Sequence, residues 1–240
     1  MVDPRVNVIA QRLRRINRII AVSSGKGGVG KSMVATTLAL SLVKRGCRVG
    51  LFDLDFTSPS THIILGVEGV QPKEEKGLVP PLVHGLEYMS LVYYSGNQAA
   101  PLRGADTSNA LIELLAVTLW SELDYLVIDM PPGIGDAVLD LLLLVPRVEF
   151  LIVTTSSLLA FETVKKLSGL LRELNVPILG VVENMKMTDS AAIKRQTEAL
   201  GLRFLMGIPY DPNVEAAIGD AEKLLATSFA QKVTLVAQTV

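Results

Sequence analysis

The segment Gly25-Lys26-Gly27-Gly28-Val29-Gly30-Lys31-Ser32 constrains this chain more than any other feature of its sequence. It follows a short apolar run at 19–23 and opens a stretch at 31–44 whose apolar residues recur at helical spacing up to Gly46, a C-cap glycine. Strand, glycine-rich turn and helix in that order fit G-x-x-x-x-G-K-[ST], a phosphate cradle. Glycines let successive backbone N–H groups turn inward around an anion. The helix that opens at Lys31 adds unpaired N–H groups and the positive end of its dipole. Lys31 is then placed to reach β- and γ-phosphates, and the Ser32 hydroxyl to ligate Mg²⁺. An ordinary glycine-rich turn would need neither the strand before it nor the helix behind it.

The rest of the chain repeats the alternation. Residues 48–52, 85–94, 125–128, 148–154, 177–182 and 204–208 read as strands, and 105–120, 136–145, 158–174 and 228–239 as helices. This order predicts an α/β fold: a single-domain, doubly wound, mostly parallel sheet with helices on both faces. A 49% apolar and 20% charged composition over 240 residues suits a sheet buried on both sides. Ligands of such sheets gather beyond the carboxyl ends of the strands, where Gly25, Asp53 and Asp129 fall. Residues 66–85 read as an exposed excursion. Ahead of the first strand, Val6, Ile9, Leu13 and Ile16 keep helical spacing behind Asp3 and Pro4. Residues 1–17 therefore read as an N-terminal basic helix and 18–240 as the domain proper. Arg5, Arg12, Arg14, Arg15 and Arg18 make the N-terminal segment basic and suit a phosphate or protein contact, or simply a solvated face.

Composition removes several classes. A formal net charge of −1 gives no global attraction to nucleic acid or acidic membrane. No charge-free apolar stretch reaches 18 residues, and the N-terminus carries no apolar leader core, so a cytoplasmic protein without a membrane anchor is expected. The single cysteine, Cys47, excludes an internal disulfide and is expected to be a buried structural thiol. His62 and His84 lack metal-ligand spacing and read as a residue of a switch helix and a loop residue.

Three stretches complete a set with the glycine-rich loop: Asp53-Leu54-Asp55-Phe56-Thr57-Ser58-Pro59-Ser60, Asp129-Met130-Pro131-Pro132-Gly133-Ile134-Gly135-Asp136 and Gly180-Val181-Val182-Glu183-Asn184-Met185. With the early lysine Lys26, the set resembles the deviant Walker A ATPases of the ParA, MinD and nitrogenase-iron-protein class, and within it the Mrp family linked to iron–sulfur cluster assembly. The resemblance implies a slow, Mg²⁺-dependent ATPase that works as a homodimeric switch. Gly25 to Met33 would contact the nucleotide, Lys26 reaching the partner's ATP phosphates. Asp55 would orient the attacking water, and Ser32, Asp53 and Asp129 would serve the Mg²⁺ shell, although the roles of Asp53 and Asp55 are not separated by sequence. Asn184, whose amide offers both a donor and an acceptor, would read the adenine edge, with Pro209 and Asp211 flanking the base.

The chain departs from the family at Met33, where threonine is usual, at Ser58, where glycine is usual, and at Thr37, where asparagine is usual. Residues 185–201 contain no cysteine, although many Mrp proteins carry C-x-x-C shortly after the Glu-Asn-Met run. An iron–sulfur cluster held by this chain itself is therefore not expected, and an iron–sulfur apo-protein or scaffold is the implied client. Two other readings use the same fold. A MinD- or ParA-like positioning ATPase would act on a membrane, DNA or a protein, yet residues 228–240 hold only one basic residue, Lys232, against a membrane tail. A dethiobiotin-synthetase-like ligase would lack the three-part pattern.

Overall fold

The computed structural model describes residues 3–95, 105–188 and 191–240. Helix α1 (Arg5–Leu13) leads into strand β1 (Ile16–Ser23), followed by α2 (Lys31–Lys44), β2 (Val49–Asp53) and a short α3 (Thr61–Leu65). Three two-residue strands come next, β3 (Lys73–Glu74), β4 (Leu78–Val79) and β5 (Leu82–Val83), then β6 (Leu86–Ser90), α4 (Val92–Ser95) and α5 (Ala105–Val117). The second half runs β7 (Leu123–Asp129), α6 (Asp136–Leu144), β8 (Val148–Thr154), α7 (Leu158–Glu173) and β9 (Ile178–Lys186). It closes with α8 (Ala192–Ala199), β10 (Phe204–Pro209), α9 (Asn213–Ala216), α10 (Ala221–Ala226) and α11 (Ser228–Ala237).

Eight strands form one sheet in the order β10-β9-β8-β1-β7-β2-β6-β5. Every neighbouring pair is parallel except β5 against β6. Side chains alternate across this sheet with period two, so β1 feeds both faces. Ile19 and Ala21 join a core shared with α1, α5, α6 and α7, whereas Ile20 and Val22 join a second core under α2, α10 and α11. Both faces are thus covered, as a parallel sheet requires. Each fully buried Ile, Leu, Val or Phe contributes about 1.5–3 kcal/mol through water removed from its surface. The register matters for function: Asp129 lies level with Val22 of β1 on one side and Asp53 of β2 on the other. Two carboxylates and the start of the glycine-rich loop therefore converge at one end of the sheet.

The mostly parallel, doubly wound sheet is as expected from sequence, while several boundaries differ. β1 begins at Ile16 rather than 19, because α1 stops at Leu13 and Ile16, 1% exposed, pairs with Leu123. The N-terminal helix is not a detached appendage: Ile9 and Leu13 are buried in the same core as Trp120 and Phe150. The run at 85–94 splits, since Ser90 Oγ accepts a hydrogen bond from the Val92 N–H and turns the chain into α4. β9 continues to Lys186, four residues past the expected end, because β10 pairs alongside it as far as Pro209. Cys47 is half-buried, not fully buried as expected, lying where the chain leaves α2. Among the described residues no helix is long and apolar enough to cross a membrane.

Candidate functional site

The loop between β1 and α2 delivers α2 with its first turn uncapped. Gly30 is the N-cap, in the left-handed region at φ +77°, and no side chain accepts from the opening N–H groups. Those donors point at whatever occupies the loop. Gly25 sits flush against α7, where an added Cβ would come within 2.2 Å of Thr163 Oγ1. That oxygen donates to the Ala160 carbonyl at 2.6 Å, so the loop is seated on a fixed helix surface.

Lys31, the first residue of α2, is only 6% exposed. Its Nζ donates to Asp129 Oδ1 at 2.5 Å and to Ser32 Oγ at 3.2 Å, and lies 3.6 Å from Asp55 Oδ2. Asp129 is fully buried, and its second oxygen has no hydrogen-bond partner among the described residues. Burial pushes the Asp129 carboxyl up to about 7, against the pull of Lys31.

Asp53 and Asp55, equivalent by sequence, differ in their partners. Asp53 Oδ2 accepts from the Thr61 hydroxyl at 2.6 Å and the Thr61 N–H at 3.2 Å, while Oδ1 accepts from the Asp55 N–H at 3.0 Å. The Thr61 hydroxyl also lies 2.9 Å from the Tyr88 hydroxyl on β6. Asp53 therefore ties the end of β2 to the start of α3, with its oxygens engaged by protein donors rather than open toward a metal. Burial raises its carboxyl above the ordinary value. Asp55 accepts from the Ser58 N–H at 3.1 Å through one oxygen and turns the other toward Lys31.

These groups border a cleft of about 510 Å³, lined among others by Gly27, Gly28, Lys31, Ser32, Asp55 and Pro132. Lys26 is exposed beside the cleft and has no carboxylate partner among the described residues. A second cavity of about 180 Å³ shares Gly30 and Met33 with the first and is completed by Asn184, Pro209, Tyr210 and Asp211. Asn184 lies inside β9 rather than at a strand end, 3% exposed, with Nδ2 donating to the Val29 carbonyl at 3.0 Å. Its amide oxygen and one N–H remain. The next residue, Met185, is held at φ +53°, an uncommon conformation that clusters at functional sites. Asp211 shapes this cavity without offering its charge. Its carboxylate accepts from the Ser228 hydroxyl at 2.7 Å and from the N–H groups of Asn213 and Phe229, which lowers it to about 2 with Ser228 as the chief cause.

The positions assigned to the nucleotide from sequence thus gather around the carboxyl-terminal side of β1, β2, β7, β9 and β10, with Asn184 still inside β9. Thr61, Tyr88 and Thr163 escaped the sequence reading. Tyr88 meets Thr61 from 27 residues away and Thr163 meets Gly25 from α7, far along the chain, whereas Thr61 reaches Asp53 across only eight residues, through the turn into α3. His62 sits on α3, and burial lowers its imidazole. His84 occupies a turn, with Nε2 2.8 Å from the Leu65 carbonyl. Among the described residues no group of three or more His, Cys, Asp or Glu side chains is arranged to hold a metal ion. Mg²⁺ differs, since it is usually bound by one or two protein groups together with substrate phosphates and water. The unpartnered Asp129 oxygen and the Ser32 hydroxyl fit that need.

The family model for ParA, the NUBPL iron-transfer P-loop NTPases, matches residues 15–240. An iron–sulfur cluster carrier protein of Pseudomonas fragi is 46% identical over 177 residues, covering 72% of this chain and 62% of its own length. A protein of the same name from Saccharolobus solfataricus is 36% identical over 226 residues, covering 87% and 76%. The chain spans 47% of the carrier protein of Escherichia coli strain K12, so it corresponds to about half to three-fifths of several such relatives. Among solved structures, a nucleotide-binding protein in complex with ADP from Archaeoglobus fulgidus superposes with a TM-score of 0.78 at 30% identity, covering 91% of this chain and 92% of that one. The cell division ATPase MinD of Pyrococcus furiosus, at 22% identity and a TM-score of 0.71, shares the fold over 93% of this chain and 98% of its own. With the strand–loop–helix phosphate cradle, the buried lysine and the match over residues 15–240, the chain belongs to the ParA/NUBPL family of iron-transfer P-loop NTPases, the Mrp-type branch that its motifs resemble.

Proposed function

We propose that this protein is a Mg²⁺-dependent ATPase that dimerises across its nucleotides in the cytoplasm and acts as a switch in iron–sulfur cluster assembly, without holding the cluster on its own side chains. The carrying observation is Lys31, buried between Asp129 and Asp55 at the floor of the cleft. One ammonium there faces three buried carboxylates, Asp53, Asp55 and Asp129. Lys31 is already compensated by these carboxylates without a ligand, so a polyphosphate is favoured when it arrives with a divalent cation.

Ser32 and Asp129 would hold Mg²⁺, which neutralises charge on the transferring phosphoryl group when bound. The loop N–H groups from Gly25 to Met33 and Lys31 would cradle the phosphates. Asp55 would orient water, its engagement with the cleft distinguishing it from Asp53, which serves as the anchor of its loop. Lys26, exposed and unpaired, would act on the phosphates of a second copy. Asn184 would meet the adenine edge, between Pro209 and the cavity wall that Asp211 supports. The client would be an iron–sulfur apo-protein or scaffold, in keeping with the names of the relatives.

The test is ATP turnover with and without Mg²⁺, alongside gel filtration in ATP. Asp55→Ala should bind ATP yet fail to hydrolyse it, and Lys26→Ala should bind ATP yet lose both turnover and ATP-dependent dimerisation. Parental turnover by a strictly monomeric Lys26→Ala protein would remove the shared-site reading, and full turnover in Asp55→Ala would remove the assignment of the water.

A further inference from the structure

A third cavity, of about 400 Å³, lies at the opposite end of the sheet from the phosphate loop, where α1 ends, β1 begins and α6 hands over to β8. Its walls combine two chemistries. Leu13, Ile19 and Leu144 are core side chains, each at most 7% exposed, that present an apolar floor. Arg14 and Arg147 stand in the same lining, and no carboxylate lines the cavity among the described residues. Arg14 is exposed and its side chain has no hydrogen-bond or ion-pair partner there. Arg147 gives one nitrogen, Nη2, to the carbonyls of Leu13 and Ile16 at 3.2 and 3.4 Å. A guanidinium carries five N–H donors, so most of its fork stays available. Two nearby arginines are engaged elsewhere: Arg18 pairs with Glu149 at 2.8 Å, and Arg12 donates to the Ala116 carbonyl at 3.3 Å.

A cavity of this size, apolar with a few convergent polar groups, has the build of a small-molecule site. Two cations without an acidic neighbour select an anion, and guanidinium forks suit a carboxylate in particular. The apolar floor then selects what is attached to it. We propose that this cavity is a binding site for a small monoanionic amphiphile, a carboxylate on a short aliphatic body, with Arg14 and Arg147 holding the head and Leu13, Ile19 and Leu144 contacting the tail. The site is separate from the nucleotide cleft, and its existence does not depend on the ATPase reading.

Binding is measured by titrating the full chain with hexanoate and octanoate, following ¹⁵N-amide shifts and heats, with octanamide as the uncharged control and acetate as the headgroup alone. The proposal expects saturable binding with shifts centred on residues 10–19 and 144–147, and affinity rising about fourfold per added methylene at roughly 0.8 kcal/mol each. Octanamide and acetate should bind at least about tenfold more weakly than octanoate. Arg14→Gln, at an exposed residue without partners, should weaken octanoate about tenfold, and Ala10→Leu, which fills the exposed mouth of the cavity, should abolish binding. Both variants should keep the parental far-UV spectrum and nucleotide affinity. Absence of saturable octanoate binding, equal binding of octanamide, or undiminished binding in Ala10→Leu would overturn the assignment.

Discussion

Replacing Gly30 with alanine probes the joint between the phosphate loop and the second cavity. Gly30 sits at φ +77°, and an added Cβ would lie 2.3 Å from Asn184 Nδ2 and 3.2 Å from Met185 Cε. The left-handed conformation costs alanine about 1–2 kcal/mol relative to glycine. The clash comes in addition. Asn184 is 3% exposed and donates to the Val29 carbonyl at 3.0 Å, so moving its amide sacrifices a buried hydrogen bond of about 1–2 kcal/mol. Met185 Cε, the end of a flexible side chain, can move aside more cheaply, so the Asn184 amide carries the clash. Gly30→Ala should therefore lose about 2–4 kcal/mol of stability. Guanidinium unfolding followed by the fluorescence of Trp120, 5% exposed in the core, measures it. Asn184→Ala removes the clashing group, so in Gly30→Ala/Asn184→Ala the two losses should fall short of their sum by about 1 kcal/mol or more. A Gly30→Ala protein within about 0.5 kcal/mol of the parent, or strictly additive losses, would refute this close approach.

Three further outcomes are expected. Thr61→Val should destabilise more than Tyr88→Phe by denaturant unfolding, about 2–3 against about 1 kcal/mol, because only the former takes a hydrogen bond from the buried Asp53 carboxylate; the reverse order would contradict the anchor role of Asp53. Asp211 is lowered to about 2 in the folded protein, below about 3.9 unfolded, so its stabilisation is complete above about pH 4 and is lost as pH falls toward 2. Asp211→Asn should thus cost about 1–3 kcal/mol at pH 7 and visibly less at pH 3 in urea unfolding, and a pH-independent difference would contradict it. Anaerobic reconstitution with iron and sulfide should leave the protein colourless, since two copies supply only two cysteine thiolates, one Cys47 each, where such clusters usually take four. Stoichiometric iron that survives gel filtration and is lost in Cys47→Ala would restore a carrier role.

The sheet and its phosphate loop were legible because their determinants are local. Apolar runs such as 148–154 and the glycines of 25–30 state their conformation within a few residues. What escaped depends on distant partners. Whether Asp53 or Asp55 faces the cleft is decided by Thr61 and Tyr88, the latter on a strand paired with β2 only after the excursion at 66–85. β9 reaches Lys186 because β10, some twenty residues later, pairs beside it. Asp211, which sequence resemblance places beside the base, keeps its carboxylate for Ser228 and Phe229, contacts that appear only once α11 packs back. Helix α8 was missed because its residues 192–199 form a short, mostly polar segment that buries only Ile193 and Thr197.

The central claim is that Mg²⁺-ATP is held at the cleft through Lys31. Isothermal titration of ATP into the protein, with Mg²⁺ and then with excess chelator, tests it directly in the parent and in a Lys31→Ala protein whose far-UV spectrum matches the parent. The account predicts one saturable site per chain that weakens without Mg²⁺ and is lost in Lys31→Ala. Unchanged ATP affinity in Lys31→Ala would contradict it.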